Sequence, residues 1–317
     1  MVGLDFEKPI LELEAKINEL RNFSSDRNVN LAAEIKKLED KLEKMKSQVY
    51  NNLTAWQKVQ IARHPQRPYT MDYIRLMTTD FLELHGDRLF ADDLAIVGGF
   101  AKIGDKKVLI MGHQKGRDTK ENVLRNFGCA HPEGYRKAIR LMKLAEQFKI
   151  PIVILIDTPG AYPGVGAEER GQAQAIAYNL REMIRIAVPI IATVIGEGGS
   201  GGALGVGVAD KMCILQNAYY SVISPEGCAS ILWRSSLKAP EAAEALKLTG
   251  DDLIKYGVVD EIIPEPPGGA HRDAEEVAAN LKKTILKYIK QLSSVSPKDL
   301  LSSRYQKFRN IGEFVTK

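Results

Sequence analysis

Cysteine is scarce in this chain: there are three in 317 residues, and no two share a C-x-x-C spacing. Cys129, Cys213 and Cys228 therefore argue against a disulfide framework and against an internal zinc site, and they read as reduced packing residues. Long apolar runs are missing as well. The longest, Ile186 to Ile195, is about half of the roughly 20 residues that a bilayer-spanning helix requires. The first residues hold no basic segment followed by an apolar block, so neither a secretory signal nor a membrane anchor is expected, and a cytoplasmic location is. Excess charge is small too. Forty-four Lys plus Arg against 40 Asp plus Glu leave a formal net charge of +4, too little for this length to imply nucleic-acid binding. What is present, 44% hydrophobic residues in a chain long enough for about two domains or one extended α/β domain, is ordinary globular composition.

Neither Gly nor Pro occurs between Leu11 and Val49. Leu31, Ile35, Leu38, Leu42, Met45 and Val49 alternate steps of four and three, and Ile10, Leu13, Ile17 and Leu20 nearly do so before the polar stretch Asn22 to Asn30. That spacing predicts a helical hairpin arm over residues 1–50. Residues 51–92, with Pro65 and Pro68 and then Tyr73, Ile74, Met77, Phe81 and Leu82, read as a connector plus one helix. From 93 to 317 the pattern is α/β. Two strands flank a Gly104-Asp105 turn, a helix covers 133–149, and apolar runs at 151–156 and 190–195 read as strands buried on both faces. A Gly/Pro loop spans 157–166 and a helix 167–187. The glycine-rich segment 196–202 opens a small-residue helix ending near Ala209. Apolar segments at 212–215 and 220–223 precede a helix starting at Pro225, and two C-terminal helices cover about 273–292 and 297–310. Alternating strands and helices predict a parallel sheet with its ligand-binding loops where strands end.

The segment Gly196-Glu197-Gly198-Gly199-Ser200-Gly201-Gly202 carries most of the functional information. It contains a G-x-G-x-x-G after a strand, yet the next strand ends in Gln216 and Asn217 rather than the acidic residue a dinucleotide ribose needs. It also contains G-x-S-x-G at a strand-to-helix turn, with Asp260 and His271 following in hydrolase order, so Ser200 is a candidate nucleophile. A third reading makes the main chain itself the reagent. Adjacent glycines at a helix start can turn unpaired N–H groups toward one point, with no Cβ in the way, and there stabilise an oxyanion. A fourth is that the glycines serve only close helix–strand packing. Asp157-Thr158-Pro159-Gly160 imitates a GTPase loop, but the P-loop that must accompany it is absent. It reads instead as the wall of a ligand pocket, with Ala161-Tyr162-Pro163-Gly164 offering an aromatic face and exposed amides. Residues 102–149 hold twelve Lys and Arg against five acids, an excess of seven that would attract a phosphate-bearing substrate such as a coenzyme A thioester; a solvated basic helix face explains it about as well. His113 and His131 read as histidines fixed by local hydrogen bonds rather than as acids or bases.

Several stretches together resemble one family: Phe81 to Arg88, Arg125 to Gly128, His131 to Ala138, Gly160 to Gly164, Gly196 to Ala203, Tyr220 to Gly227 and Glu265 to His271. With the helical arm they span nearly the whole chain, and the sequence closely resembles the alpha subunits of bacterial acetyl-coenzyme A carboxylase carboxyltransferase. The resemblance implies a crotonase-like α/β fold, a spiral of ββα units over 93–317, with the N-terminal helical hairpin and C-terminal helices added. It implies transfer of a carboxyl group from carboxybiotin, borne by the biotin carboxyl carrier protein, to acetyl-CoA, giving malonyl-CoA for fatty acid synthesis. It further implies a zinc-bearing beta subunit of the same fold in an α2β2 assembly, with biotin carboxylase in the wider complex and no metal in this chain. By the same resemblance Gly201 and Gly202 face the biotin ureido oxygen as the catalytic pair. Ala161, Tyr162, Pro163, Gly164, Gly198 and Gly199 line the substrate, and the enolate meets glycines of the beta subunit. Two alternatives stay open: a stand-alone acyl-CoA hydratase or isomerase using Glu168 or Glu169, and a scaffold that only positions partners.

Overall fold

The computed structural model describes residues 3–27 and 30–312. The arm is the expected hairpin. Helices α1 (Lys8–Arg27) and α2 (Ala32–Tyr50) close on Ile10, Ile17 and Leu42, with Leu13, Ile35, Leu38, Met45 and Val49 packed around them. The polar stretch from Asn22 does not end α1 before Arg27, and residues 28 and 29 lie outside the described residues. The buried Glu7 carboxylate ties the arm to the rest of the chain, accepting from the Tyr50 hydroxyl at 2.8 Å and from Arg272 at 3.3 Å.

Two short helices lead into the sheet, α3 (Ala55–Ala62), whose first turn is capped by Thr54, and α4 (Thr70–Met77). The second stops sooner than its apolar spacing suggests, because Phe81 and Leu82 belong to strand β1 (Thr79–Glu83). Two β-branched residues, Thr78 and Thr79, disfavour another helical turn, and an antiparallel edge of β2 is there to pair with. Alternation then decides the faces: Phe81 packs on the core while Leu82 is exposed.

The remaining elements are β2 (Ile96–Ile103), β3 (Lys106–His113), α5 (Thr119–Leu124), α6 (Pro132–Gln147), β4 (Ile152–Thr158), α7 (Val165–Glu169), α8 (Gln172–Met183), β5 (Ile190–Gly199), α9 (Ser200–Leu204), β6 (Lys211–Leu215), β7 (Tyr219–Ser221), α10 (Pro225–Trp233), α11 (Ala239–Leu246), α12 (Gly250–Lys255), β8 (Glu261–Ile263), α13 (Ala274–Ser293) and α14 (Pro297–Arg309). One sheet runs β1-β2-β3-β4-β5-β6-β8, antiparallel through its first three strands and parallel from β3 onward, and β7 lies beside the outer part of β5. Every residue of β4 and β5 is buried, as the apolar runs at 152–156 and 190–195 predict, and the burial extends to Asp157, Thr158 and Glu197 beyond those runs. The helix expected over 167–187 is two, divided where Gly171 takes a left-handed φ of 81°. The small-residue helix after the glycines is a single turn ending at Leu204.

One irregularity places the functional site. Strand β5 follows β4 in register up to Ile156↔Val194, but the next pair is Thr158↔Gly198, so β5 carries two extra residues around Gly196 and Glu197. Before this bulge β5 pairs with β6 through Ile191 to Val194; after it, Glu197 to Gly199 pair with β7. The strand changes neighbours at the bulge and delivers its glycines to the open end of the sheet.

Candidate active site at the glycine turn

Strand β5 ends at Gly199, and Ser200 makes the turn into α9 with a left-handed φ of 51°, an unusual conformation for a residue with a Cβ. Gly201 and Gly202 supply first-turn N–H groups of that helix, which have no i−4 acceptor within it, and no side chain caps the turn. Close packing dictates glycine at three positions. A Cβ on Gly202 would stand 2.4 Å from the Gly160 carbonyl carbon, one on Gly199 2.2 Å from the Pro159 oxygen, and one on Gly198 2.6 Å from the Tyr220 ring. Gly201 differs, because its Cβ would meet only the Ile176 Cδ1 at 3.6 Å. Packing therefore accounts for Gly198, Gly199 and Gly202 but not for the open space at Gly201.

The loop after β4 lies against this turn, with Gly160 and Ala161 touching Gly202. Thr158 closes the loop by accepting from the Gly160 N–H and donating to its carbonyl at 2.7 Å. Tyr162 is stacked on His131 with ring centroids 4.1 Å apart, and the Gln172 amide donates to the carbonyls of Ala130 and Tyr162. Pro163 and Gly164 lead into α7. A cavity of about 310 Å³ opens on the other flank, lined by Ser200, Gly201, Leu204, Tyr220, Val222 and Leu253 among others. The turn thus has an aromatic loop against Gly202 and an apolar hollow at Gly201. A larger cavity of about 640 Å³ between α6 and α8 holds no residue of the turn.

Behind the bulge sits an ionic cluster that the sequence did not reveal. Lys115 donates to Asp157 at 2.7 Å and to Glu197 at 2.8 Å. Arg63 donates to Glu197 at 2.6 Å and to Glu226 at 2.5 Å, and the Tyr219 hydroxyl donates to Glu197 at 2.7 Å. Burial alone would raise the Glu197 pKa, but the charges of Lys115 and Arg63 override it and hold the carboxyl at about 2. Burial likewise opposes the Lys115 charge, and Asp157 and Glu197 raise its pKa regardless. These residues lie up to 163 positions apart in the chain, so no spacing pattern could have joined them.

His131 is held as expected, its ring within 2.9 Å of the Asn126 amide. His113 is not. Its ring lies fully buried at the end of β3, and among the described residues neither nitrogen has a hydrogen-bond partner; the Gly202 carbonyl is near enough to favour protonation slightly, but not in bonding geometry. Burial, followed by the charge of Lys115, pushes its pKa down to about 3. The folded state therefore keeps the ring neutral, whereas the unfolded chain takes up a proton below about pH 6.5. Stability is lost as the pH falls from there toward 3. Between pH 6.5 and 5 this one ring should remove about 2 kcal/mol. The expected result is a falling thermal midpoint over that range in wild type and a flatter one in His113→Leu; equal slopes in the two would refute it.

The excess of cations in 102–149 does not make a free positive field. Lys102 meets Asp80, Arg117 meets Asp72, Arg136 meets Asp87, Lys137 meets Asp92 and Lys143 meets Glu182, all carboxylates from outside that segment. The hydrolase triad also fails. Asp260 accepts from the Met212 N–H and from Lys211 and Lys307, beside Ala192 at the opposite end of β5. Ser200 is eight residues further along, roughly 25 Å at strand spacing. His271 is stacked on His64 with centroids 3.8 Å apart. Glu168 and Glu169 lie exposed on α7. No helix among the described residues is long and apolar enough to cross a membrane, and no group of three or more His, Cys, Asp or Glu among them could hold a metal ion.

Comparison with known proteins matches residues 3–312 to the family described as acetyl co-enzyme A carboxylase carboxyltransferase-like. The chain is 57% identical over 311 residues to the acetyl-coenzyme A carboxylase carboxyl transferase subunit alpha of Geobacter metallireducens, covering 98% of each chain. It is 56% identical over 311 residues to that of Thermus thermophilus, again covering 98% of each. Among solved structures it is similar to transcarboxylase 12S with methylmalonyl-coenzyme A bound, at a TM-score of 0.59 and 21% identity, over 74% of this chain and 44% of that one. It is also similar to a Pseudomonas malonate decarboxylase hetero-tetramer in complex with coenzyme A, at a TM-score of 0.59 and 15% identity, over 74% and 91%. The two structural likenesses bear on the fold, which is the crotonase-like one expected.

Proposed function

Because the chain belongs to the acetyl-coenzyme A carboxylase carboxyltransferase family, in its alpha-subunit branch, we propose that its glycine turn is where it holds the biotin ureido oxygen during carboxyl transfer. Its activity is that of the family, the carboxyl transfer of acetyl-CoA carboxylase that yields malonyl-CoA for fatty acid synthesis. A partner beta subunit goes with the alpha branch. The α2β2 stoichiometry, the biotin carboxyl carrier protein as donor, biotin carboxylase in the wider complex, zinc on the beta subunit only and a cytoplasmic location are parts of the proposal.

The observation that carries the site is the glycine pair in the first turn of α9, Gly201 open to a cavity and Gly202 against the loop after β4, with no i−4 acceptor in the helix for either N–H. Bound carboxybiotin supplies the carboxyl group to be transferred and a carbonyl oxygen that becomes more negative as that group departs. Two main-chain donors fixed before the reaction stabilise such charge without reorganising, and each donor is worth on the order of 100-fold in rate. Gly201 leaves the approach open, and Leu204, Val222 and Leu253 make the wall beside it apolar. Ala161 to Gly164, with Tyr162 steadied on His131, line the biotin ring from the other side. Gly198 and Gly199 let the strand run close under the substrate. No side-chain base belongs to this scheme, in keeping with the separation of Ser200 from Asp260.

The site is half a site. Leu204 and Val222 on the cavity rim, and Ile231 and Leu232 on the following α10, expose large apolar side chains. The beta subunit covers this rim and supplies the donors for the acetyl thioester. Malonyl-CoA decarboxylation in the presence of biocytin is the test. Activity is expected from the mixed subunits and from neither alone. Turnover by this chain alone would refute the division of labour, and a stable complex without turnover would favour a scaffold.

A further inference from the structure

A run of glycines is a poor way to hold two N–H groups on a target, since glycine has the greatest backbone freedom of any residue. Something outside the run must fix its aim, and the bulge at Gly196 and Glu197 is where the structure grips it. The Arg67 side chain, paired with Glu265, donates to the Ile195 carbonyl at 2.8 Å. The Asp157 carboxylate accepts the Glu197 N–H at 2.9 Å and occupies the space where a Cβ on Gly196 would lie, 2.6 Å from its Oδ1. Lys115 links that same Asp157 oxygen to the Glu197 side chain, closing a ring that ties main chain to side chain at one residue. Arg63 and Tyr219 take the other Glu197 oxygen. Buried charges of this density are costly, and an apolar cluster would stabilise the fold as well. What an apolar cluster would lack is direction, because salt bridges and hydrogen bonds fix angles that dispersion contacts do not.

We propose that Glu197, clamped by Lys115 and Arg63, is a positioning residue that sets the aim of the Gly201 and Gly202 amides. It touches no reacting atom and acts through the two glycines that follow it. The inference rests on the reading of the turn as an oxyanion site. A second buried ion pair gives the comparison: Arg304 and Asp210 bond at 2.7 and 2.8 Å, and Asp210 accepts the Ile190 N–H at the far end of the same strand. That pair holds β5 without reaching the turn.

The test uses the assembled complex with the beta subunit. Glu197→Gln keeps the size and removes the charge. Its kcat for carboxyl transfer should fall roughly 10- to 100-fold, as for a misaimed catalytic group, with KM for the CoA thioester unchanged. Asp210→Asn should lower the thermal midpoint and leave kcat within about twofold. Lys115→Met should resemble Glu197→Gln, and the double variant should be little worse than either, since one clamp is lost only once. An active wild type with an unaltered Glu197→Gln kcat overturns the proposal alone, as does a kcat in Asp210→Asn that falls equally for the same loss of midpoint. A wild-type complex without transfer overturns the reading of the turn and the proposal with it. Should Glu197→Gln not fold, Tyr219→Phe removes one bond to Glu197 and keeps the ring; a loss of several-fold in kcat at a near-normal midpoint is expected, and an unchanged kcat overturns the proposal.

Discussion

Alanine in place of Gly202 is expected to reduce carboxyl transfer by the assembled enzyme by about 100-fold or more, whereas alanine at Gly201 should cost under tenfold. The difference is steric. A Cβ on Gly202 would lie 2.4 Å from the Gly160 carbonyl carbon and 2.7 Å from the Ala161 nitrogen, both main-chain atoms of a loop that Thr158 holds closed. Neither segment can yield without moving, and a contact of that kind costs about 1–3 kcal/mol in strain. The strain falls on the N–H that is to face the ureido oxygen. At Gly201 the new methyl meets only the end of the Ile176 side chain at 3.6 Å, so both donors keep their places. Both variants retain the N–H itself, so the comparison separates aim from presence. Equal losses would show that the close approach of Gly160 has no part in the reaction, and an unimpaired Gly202→Ala would remove the turn from the chemistry.

Glu265→Gln should have the largest effect on stability. The Glu265 side chain is wholly buried and accepts from both ends of the Arg67 guanidinium, at 2.8 and 2.6 Å, from the Asn217 main chain and amide, and from the Ala270 N–H. Burial acts against its ionisation, but Arg67 and the Asn217 donors hold the carboxyl below its usual range. An amide in its place presents N–H to donors and strands the buried Arg67 charge. The expected loss is about 3–5 kcal/mol, or roughly 10 °C in thermal midpoint for a chain of this size. Replacing both partners, as in Arg67→Met with Glu265→Leu, should recover a large part of it. A single-variant midpoint within about 2 °C of wild type would count against this account. The sign with pH follows from the depressed pKa: the contribution is complete above about pH 4.5 and is lost as the pH falls below that value.

How much of this was legible beforehand depended on how local the signal was. The arm could be read because Leu31 to Val49 repeat at helical spacing, and the central strands because nothing polar interrupts Ile152 to Ile156. Edge strand β1 was read as helix because Phe81 and Leu82 continue an apolar rhythm that a half-buried strand also satisfies. The division at Gly171 was missed because one glycine inside a helical pattern is usually tolerated. In the candidate site, the glycine pair was named through the family resemblance, the motif alone leaving several readings open. Lys115, Arg63 and Tyr219 could not, since each contributes one side chain from a segment with no pattern of its own. The basic stretch 102–149 misled for the opposite reason: its charges are counted along the chain, while the acids that neutralise them come from other elements.

By itself, then, the sequence determined most of the elements, which depend on neighbours a few residues apart, and the family, which rests on stretches spread along the whole chain. Tertiary structure alone decided which glycines are there for space and which one opens on a cavity. It also decided that β5 changes partners at Glu197 and that buried ion pairs hold that bulge. Those features arise where strands and loops distant in the chain meet, and the short-range periodicity that specifies a helix or a strand carries no information about the distance between them.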